Sequence, residues 1–227
     1  MDDLLRQLVQ GQLKSGQLPR TINVWDLEEG LDDLRRRSLD VPPSQQVEWG
    51  RCIVLQDERL QLAHHPVRGW DEGVDPECSP EEHEHYVGFA HIHLPDAITG
   101  KPYLGFSERD FQGTLVDGDN LALVCNGPEV FALARASDCA KPRRVPDMAE
   151  FASWEKLYDD LIGQARGEMA SDPRARERSS IALNHALRQA NREMCRRLGF
   201  AFYRGLWGQP LVLVYRPLPG VLTVRSL

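Results

Sequence analysis

Two histidines and an aspartate have the types and the spacing expected of a metal site. His91 and His93 stand two residues apart at the end of a short apolar run that predicts a buried strand. Side chains two apart on a strand point to the same face, so both imidazoles can reach one ion. Asp110 lies on the first turn of the helix predicted after Ser107 and can supply a carboxylate. Two histidines, one carboxylate and an open fourth position are the ligand set of a catalytic zinc ion.

Such an ion also needs a group that moves protons. Zinc lowers the pKa of bound water from about 16 to about 7, which makes that water a nucleophile at neutral pH. Glu48 begins the first strand-like run, and a sheet could bring it beside the histidine strand as general base and acid. Glu58, in the turn between two predicted strands, is the alternative base. Ser107 has a hydroxyl that could donate a hydrogen bond to a developing oxyanion.

Taken together, these residues resemble the signature of the JAMM metallopeptidases of the JAB/MPN family. The pattern is Glu, then His-Ile-His-Leu-Pro, then Ser-Glu-Arg-Asp, at positions 48, 91–95 and 107–110, and the similarity covers about residues 45–136. The resemblance implies a cytidine-deaminase-like mixed sheet flanked by helices and one catalytic zinc ion. It also implies the roles of the matching residues, with His91, His93 and Asp110 as zinc ligands and Glu48 and Ser107 as catalytic residues.

The same resemblance implies a substrate class. Members of the family remove ubiquitin or ubiquitin-like modifiers, or trim their precursors, by cutting the bond after the modifier's C-terminal glycine. The chain looks closest to bacterial members that occur beside ubiquitin-like conjugation enzymes, including those of antiphage operons. We therefore expect a ubiquitin-like protein or its conjugate as substrate, conjugation-pathway enzymes as possible partners, and a role in antiviral defence. Eleven residues separate Pro95 from Ser107, against about seven in most members, which indicates an insertion beside the substrate groove.

Other interpretations of these residues stay open at this point. Ser107 could serve only as a helix N-cap. The acidic stretch at 81–85 repeats the His-x-His spacing, although a solvated loop is the favoured interpretation there. A chain with this motif could also be a non-catalytic MPN-type scaffold, or another zinc hydrolase such as a deaminase or a nuclease. The lack of a Pro-Cys-x-x-Cys pair disfavours a deaminase, and the lack of a basic stripe disfavours a nuclease.

Short strands and amphipathic helices are predicted around the motif. The strands fall at 50–56, 59–64, 86–93, 121–125, 130–134 and 211–215, and residues 66–85 are predicted to form a loop. Helices are predicted within the first 40 residues, from Ser107 to about Leu115, at 149–169 and at 174–198, with Gly199 as a helix end. Asn126-Gly127 indicates a hairpin turn. This mixture has no regular βαβ alternation, so it predicts an α/β domain of the three-layer α+β type.

Breaks in the pattern divide the chain into three predicted segments. Residues 1–40 form an N-terminal helical extension, and residues 41–146 form the JAB/MPN-like core. Residues 147–227 supply C-terminal helices and a strand that complete or flank the core. The boundaries are marked by Pro42-Pro43 and by the Pro-rich, basic linker Lys141–Pro146.

Charge and composition limit the partners and the compartment. The formal net charge is −7 without a basic stripe, which argues against nucleic acid or an anionic membrane and favours a substrate with a basic patch. No apolar run approaches the roughly 20 residues needed to cross a bilayer, and the N-terminus lacks the apolar region of a signal peptide. The five cysteines are scattered without a Cys-x-x-Cys pair. We therefore expect reduced cysteines and a cytoplasmic protein.

Overall fold

The computed structural model describes residues 1–70, 73–74, 78–79, 84–95, 104–139, 152–153, 156, 160, 163 and 176–218, and over 176–186 it describes the backbone alone. Within these residues, nine strands form one mixed sheet. The strand order is β1-β9-β8-β7-β6-β5-β2-β3, and β4 also pairs with β2. No helix among the described residues is both long enough and apolar enough to cross a membrane.

The elements have the following bounds. Helices are α1 (Asp3–Val9), α2 (Glu28–Leu39), α3 (Glu108–Val116) and α4 (Arg176–Leu198). Strands are β1 (Thr21–Ile22), β2 (Trp49–Gln56), β3 (Arg59–Leu62), β4 (Val67–Arg68), β5 (Tyr86–Ile92), β6 (Leu121–Cys125), β7 (Glu129–Arg135), β8 (Phe200–Leu206) and β9 (Leu211–Tyr215).

Helices cover both faces of the sheet, which gives three layers. On one face, α1 and α2 contribute Leu8 and Leu31 to a core with inward-facing strand residues such as Ile92 and Leu123. On the other face, α3 and α4 pack through Phe111 and Met194 against a second set of strand residues, which includes Val124, Phe131 and Phe202. Alternate residues of one strand therefore enter opposite cores, as the two-residue period of a strand requires.

The centre of the sheet holds the segment with the His-x-His motif. β5 runs parallel to β6, and α3 lies between them in the chain. On its other side, β5 pairs antiparallel with β2, and Gly50 lies opposite His91. The end of β5, the beginning of β2 and the beginning of α3 therefore meet at one place.

Most of the described elements agree with the sequence predictions, and the broad α/β class is confirmed. The exceptions are three strands. β1 occupies part of the N-terminal region predicted as helical, β4 lies in a predicted loop, and β8 was not predicted. β1 is only two residues long and exists through its pairing with β9, which no local pattern reveals. The predicted helix at 149–169 and the linker Lys141–Pro146 lie outside the described residues, apart from helical positions at 152–153, 156, 160 and 163.

Strands from all three predicted segments belong to the same sheet. β1 comes from the first 40 residues, and β8 and β9 come from the region after residue 147. Residues of α1, the central strands and β9 also share one hydrophobic core. The N- and C-terminal parts of the described chain thus extend the sheet on the far side of β7.

The expectation of five reduced cysteines is wrong for one pair. Cys52 on β2 and Cys78 form a disulfide that closes a 26-residue separation. Their pairing depends on how the chain after β4 folds back over β2, which the scattered sequence positions do not reveal. The other three, Cys125, Cys139 and Cys195, are free and buried, as expected for packing residues.

Candidate metal centre

The two histidines lie side by side at the end of β5. His91 is opposite Gly50 of β2 and beside Val124 of β6, and the N–H of His93 continues the sheet by donating to the Cys125 carbonyl at 2.9 Å. The imidazole centroids are 4.8 Å apart, with 62° between the ring planes. Both residues are buried, with 7% and 6% of their surface exposed. The predicted placement of both rings on one face of the strand is thus confirmed.

Asp110 reaches both rings from the first turn of α3. Its Oδ1 lies 3.0 Å from Nε2 of His91, and its Oδ2 lies 3.0 Å from Nε2 of His93. The structure therefore brings together the three residues that the sequence predicts as metal ligands. Each oxygen of the carboxylate faces one imidazole nitrogen, which fixes the plane of the carboxylate between the two rings.

Ser107 caps α3 and holds Asp110 at the same time. Its Oγ accepts a hydrogen bond from the Asp110 N–H at 3.2 Å and donates one to Asp110 Oδ2 at 2.9 Å. The Ser107 N–H also donates to Oδ2, at 2.5 Å. This is a reciprocal capping box in which an aspartate replaces the usual glutamate. The Ser-x-x-Asp spacing thus starts the helix and aims the carboxylate at the histidines, while the oxyanion role of Ser107 stays a prediction.

Glu48 enters the site from the residue before β2. Its backbone is fixed on both sides, since its N–H donates to the Trp70 carbonyl at 3.1 Å and its carbonyl accepts from the Gly69 N–H at 2.8 Å. The side chain is buried, with 8% exposed, and its carboxylate accepts a hydrogen bond from the backbone N–H of Leu94. A carboxylate oxygen of Glu48 and one nitrogen from each of His91 and His93 all lie within 4.8 Å of one another.

The alternative base, Glu58, lies elsewhere. It occupies the β2–β3 turn, where its side chain is 75% exposed and forms an ion pair with Arg6 at 3.1 Å. The second His-x-His stretch is only partly described, but His85 is exposed, whereas the two motif histidines are buried. Burial and mutual distance therefore separate Glu48 and the motif histidines from both alternatives.

Burial and mutual attraction shift the pKa values of these groups in opposite directions. Burial lowers the pKa of His93, but the Asp110 carboxylate outweighs that effect and raises the pKa to about 9. Burial raises the pKa of Asp110, but the two imidazoles outweigh it and hold that pKa well below 3.8. Burial raises the pKa of Glu48, and the two imidazoles offset only part of the rise. Asp110 is therefore the carboxylate held ionised, whereas Glu48 is the one that more readily keeps a proton.

The buried imidazole and carboxylate groups could hold a metal ion. Zinc binds nitrogen and carboxylate oxygen at about 2.0–2.2 Å, so two ligand atoms in a tetrahedron stand roughly 3.3 Å apart. The two contacts of Asp110 with the imidazoles are each 3.0 Å long, but they use different carboxylate oxygens, Oδ1 for His91 and Oδ2 for His93. For His91, His93 and Asp110 to hold one ion, one of these oxygens would have to move between the two nitrogens, and the imidazoles would have to bind in their neutral form.

Two features around His91 were not predicted from the sequence. The ring of Phe89 stacks against His91, with centroids 5.8 Å apart and 27° between planes. That ring also fills the space over Gly50, where an added Cβ would lie 2.3 Å from Phe89 Cζ. The sequence spacing could have predicted the ring contact, because Phe89 and His91 are two residues apart on a strand and share a face.

Another residue that sequence analysis missed lies on α4. Asn191 is 1% exposed and is hydrogen-bonded to the backbone of Phe106, just before Ser107. The sequence feature that could have revealed it is the position of this amide next to the apolar stripe of the helix, which consists of Leu187, Ala190, Met194 and Leu198. A buried amide in such a position needs partners.

Comparisons of the whole chain give no further identification. No protein-family model, no curated protein and no solved structure matched the chain.

Proposed function

We propose that this protein is a zinc-dependent peptidase of the JAMM kind, acting on the bond after the C-terminal glycine of a ubiquitin-like modifier. The observation that carries the proposal is the position of Asp110, with one oxygen 3.0 Å from Nε2 of each motif histidine. The buried Glu48 carboxylate beside the same histidines supplies the remaining function that a peptidase requires.

Each residue has a distinct role in this proposal. His91, His93 and Asp110 would hold the ion, and Ser107 keeps the Asp110 carboxylate in place through its two hydrogen bonds to Oδ2. When bound, zinc lowers the pKa of a water molecule to about 7 and polarises a carbonyl oxygen. Glu48 would take a proton from the attacking water and deliver it to the leaving amine. The raised pKa of Glu48 suits this double task, because a base that must also act as an acid works best near the operating pH.

The substrate class rests on the resemblance of the motif and on charge. The chain carries a net charge of −7, so it would attract a modifier with a basic surface. Deconjugation from a lysine and trimming of a precursor would use the same residues, since both break an amide bond after the same glycine. Conjugation-pathway enzymes as partners and a role in antiviral defence belong to this proposal as well.

A second function is favoured by one observation. Glu48 stands close enough to both histidines to act as a ligand itself. Four protein ligands around the ion would leave no open position, as in structural zinc sites. The protein would then be a metal-containing scaffold without catalytic activity.

The experiment that separates the two functions is Glu48→Gln, measured for zinc content and for cleavage of a ubiquitin-like protein fused through its C-terminal glycine. The peptidase proposal predicts retained zinc and a rate lowered by about 10²–10⁴-fold, the usual contribution of a general base. Glu58→Gln is the matched control, because Glu58 is exposed and should leave both quantities unchanged. Cleavage by Glu48→Gln at the wild-type rate would overturn the mechanism. If Glu48→Gln loses zinc and the wild-type protein shows no cleavage, the scaffold is favoured.

A further inference from the structure

The segment just before Ser107 is held by a side chain from the far end of the chain. Asn191 on α4 accepts a hydrogen bond from the Phe106 N–H at 2.8 Å and donates one to the Phe106 carbonyl at 3.0 Å. Its second amide hydrogen goes to the Leu187 carbonyl, one turn earlier on α4, at 3.0 Å. These bonds use both amide hydrogens and the amide oxygen, so the orientation of the side chain is fixed.

The segment held by Asn191 reaches the metal centre through the Phe106–Ser107 peptide. The carbonyl of this peptide accepts the Asn191 hydrogen bond, and its N–H, on Ser107, donates to Asp110 Oδ2 at 2.5 Å. The Ser107 hydroxyl donates to the same oxygen at 2.9 Å. Ligating carboxylates are commonly oriented in this way, by hydrogen bonds from groups that do not bind the metal.

The backbone at Gly105 is shaped to fit beneath Asn191. Its φ is +108°, a conformation that favours glycine, and an added Cβ would lie 2.6 Å from Asn191 Oδ1. Phe106 itself is fully buried, packed near Phe111 and Phe202. A change of the amide or of the glycine would therefore disturb the peptide whose N–H holds Asp110.

We propose that Asn191 is a positioning residue that holds the Phe106–Ser107 peptide in place and thereby sets the orientation of Asp110, one of the proposed zinc ligands. The proposal rests on the metal centre assigned above and adds α4 to it. An asparagine is required because its amide offers both the donor and the acceptor that the Phe106 backbone needs, whereas leucine, of similar size, offers neither.

The test compares Asn191→Leu with Leu198→Ala, both on α4. Leu198 lies seven residues further along the helix, about two turns away, and is buried in the same core. Zinc affinity is measured by competition with a chromogenic chelator, at a temperature where circular dichroism shows each variant folded. The visible spectrum of the Co²⁺-loaded protein reports ligand geometry independently of activity.

We expect Asn191→Leu to weaken zinc binding about tenfold and to change the Co²⁺ spectrum. Leu198→Ala should lower the Tm but leave zinc affinity within about twofold and the spectrum unchanged. Gly105→Ala should reproduce the loss, and the combined Gly105→Ala/Asn191→Leu variant should bind no more weakly than the worse single variant, because both act through one backbone segment.

Wild-type affinity and spectrum in Asn191→Leu would overturn this role while leaving the metal centre intact. An equal loss of affinity in Leu198→Ala would also overturn it, because the effect would then follow general stability. Absence of zinc binding by the wild-type protein would overturn the metal centre and this inference together.

Discussion

Replacing Gly50 with alanine puts a Cβ atom 2.3 Å from Cζ and 2.6 Å from Cε1 of Phe89. The Ala90 carbonyl oxygen lies 3.1 Å from the same Cβ, but it belongs to the backbone of β5 and is held in the sheet. The Phe89 ring is therefore the group that must move. To reach an ordinary carbon–carbon contact of about 3.5 Å, the ring must withdraw by about 1.2 Å. Because this ring stacks on His91, its withdrawal removes a contact with one face of the imidazole.

The structure sets the size of the effect. Phe89 is buried and packs with Cys52 and Ala63, so little free space is present for the displaced ring. We expect Gly50→Ala to lower the free energy of unfolding by about 1–3 kcal/mol, the usual cost of overpacking a core. Zinc affinity should fall by about tenfold, as when other groups that orient a metal ligand are altered.

The assay is a double-mutant cycle with Phe89→Leu, because leucine lacks the Cζ and Cε1 atoms that the new methyl group would meet. Urea unfolding in the presence of a chelator gives the stability of the metal-free protein, and competition with a chromogenic chelator gives zinc affinity. In the Phe89→Leu background the added methyl group should cost less by about 1–3 kcal/mol, a coupling typical of residues in contact.

Equal costs of Gly50→Ala in the two backgrounds would refute this reasoning, since the methyl group would then not act through Phe89. So would a Gly50→Ala protein with the stability and zinc affinity of the wild type.

Three other predictions concern pH, metal and the disulfide. Burial raises the pKa of Asp119 to about 8, so the folded protein keeps this carboxyl protonated at pH values where the unfolded chain ionises it. The contribution of Asp119 to the free energy of unfolding is therefore highest below about pH 4 and declines as the pH rises to about 8. Asp119→Asn should thus gain stability relative to wild type by up to about 1.4 kcal/mol per pH unit over that range in urea unfolding, and a pH-independent difference would contradict it. Zinc at 100 times its Kd should add about 2.7 kcal/mol to the free energy of unfolding, and Asp110→Asn should abolish the resulting rise in Tm. A Tm shift that persists in Asp110→Asn would mean that zinc binds at another site. Reduction of Cys52–Cys78, or Cys78→Ser, should cost about 3–4 kcal/mol from loop entropy, and an unchanged Tm after reduction would show that the bridge does not form in solution.

Local sequence patterns predicted the parts of the site that local geometry determines. The placement of His91 and His93 on one face follows from the two-residue period of a strand. Ser107 and Asp110 mark a helix start because a hydroxyl followed three residues later by a carboxylate satisfies the first N–H groups of a helix. The meeting of these two elements with Glu48 is set by the β2–β5–β6 pairing, and for this point the sequence offered only the resemblance of the whole motif.

Long-range contacts account for what the sequence did not predict. β8 begins directly after Gly199 with the buried run Phe-Ala-Phe-Tyr, which has no alternation because both faces of the strand are covered. Asn191 meets Phe106 across 85 residues of chain, and Cys52 meets Cys78 only once the chain after β4 has returned to β2. Each of these pairs is a tertiary contact without a counterpart in local spacing or periodicity.

A crystal structure of the zinc-loaded protein, with anomalous scattering measured at the zinc edge, tests the central claim most directly. We predict one ion, bonded to Nε2 of His91, to Nε2 of His93 and to a carboxylate oxygen of Asp110, with the Glu48 carboxylate nearby but outside bonding distance. An ion at any other place, or Asp110 turned away from the histidine pair beyond bonding distance, would contradict it.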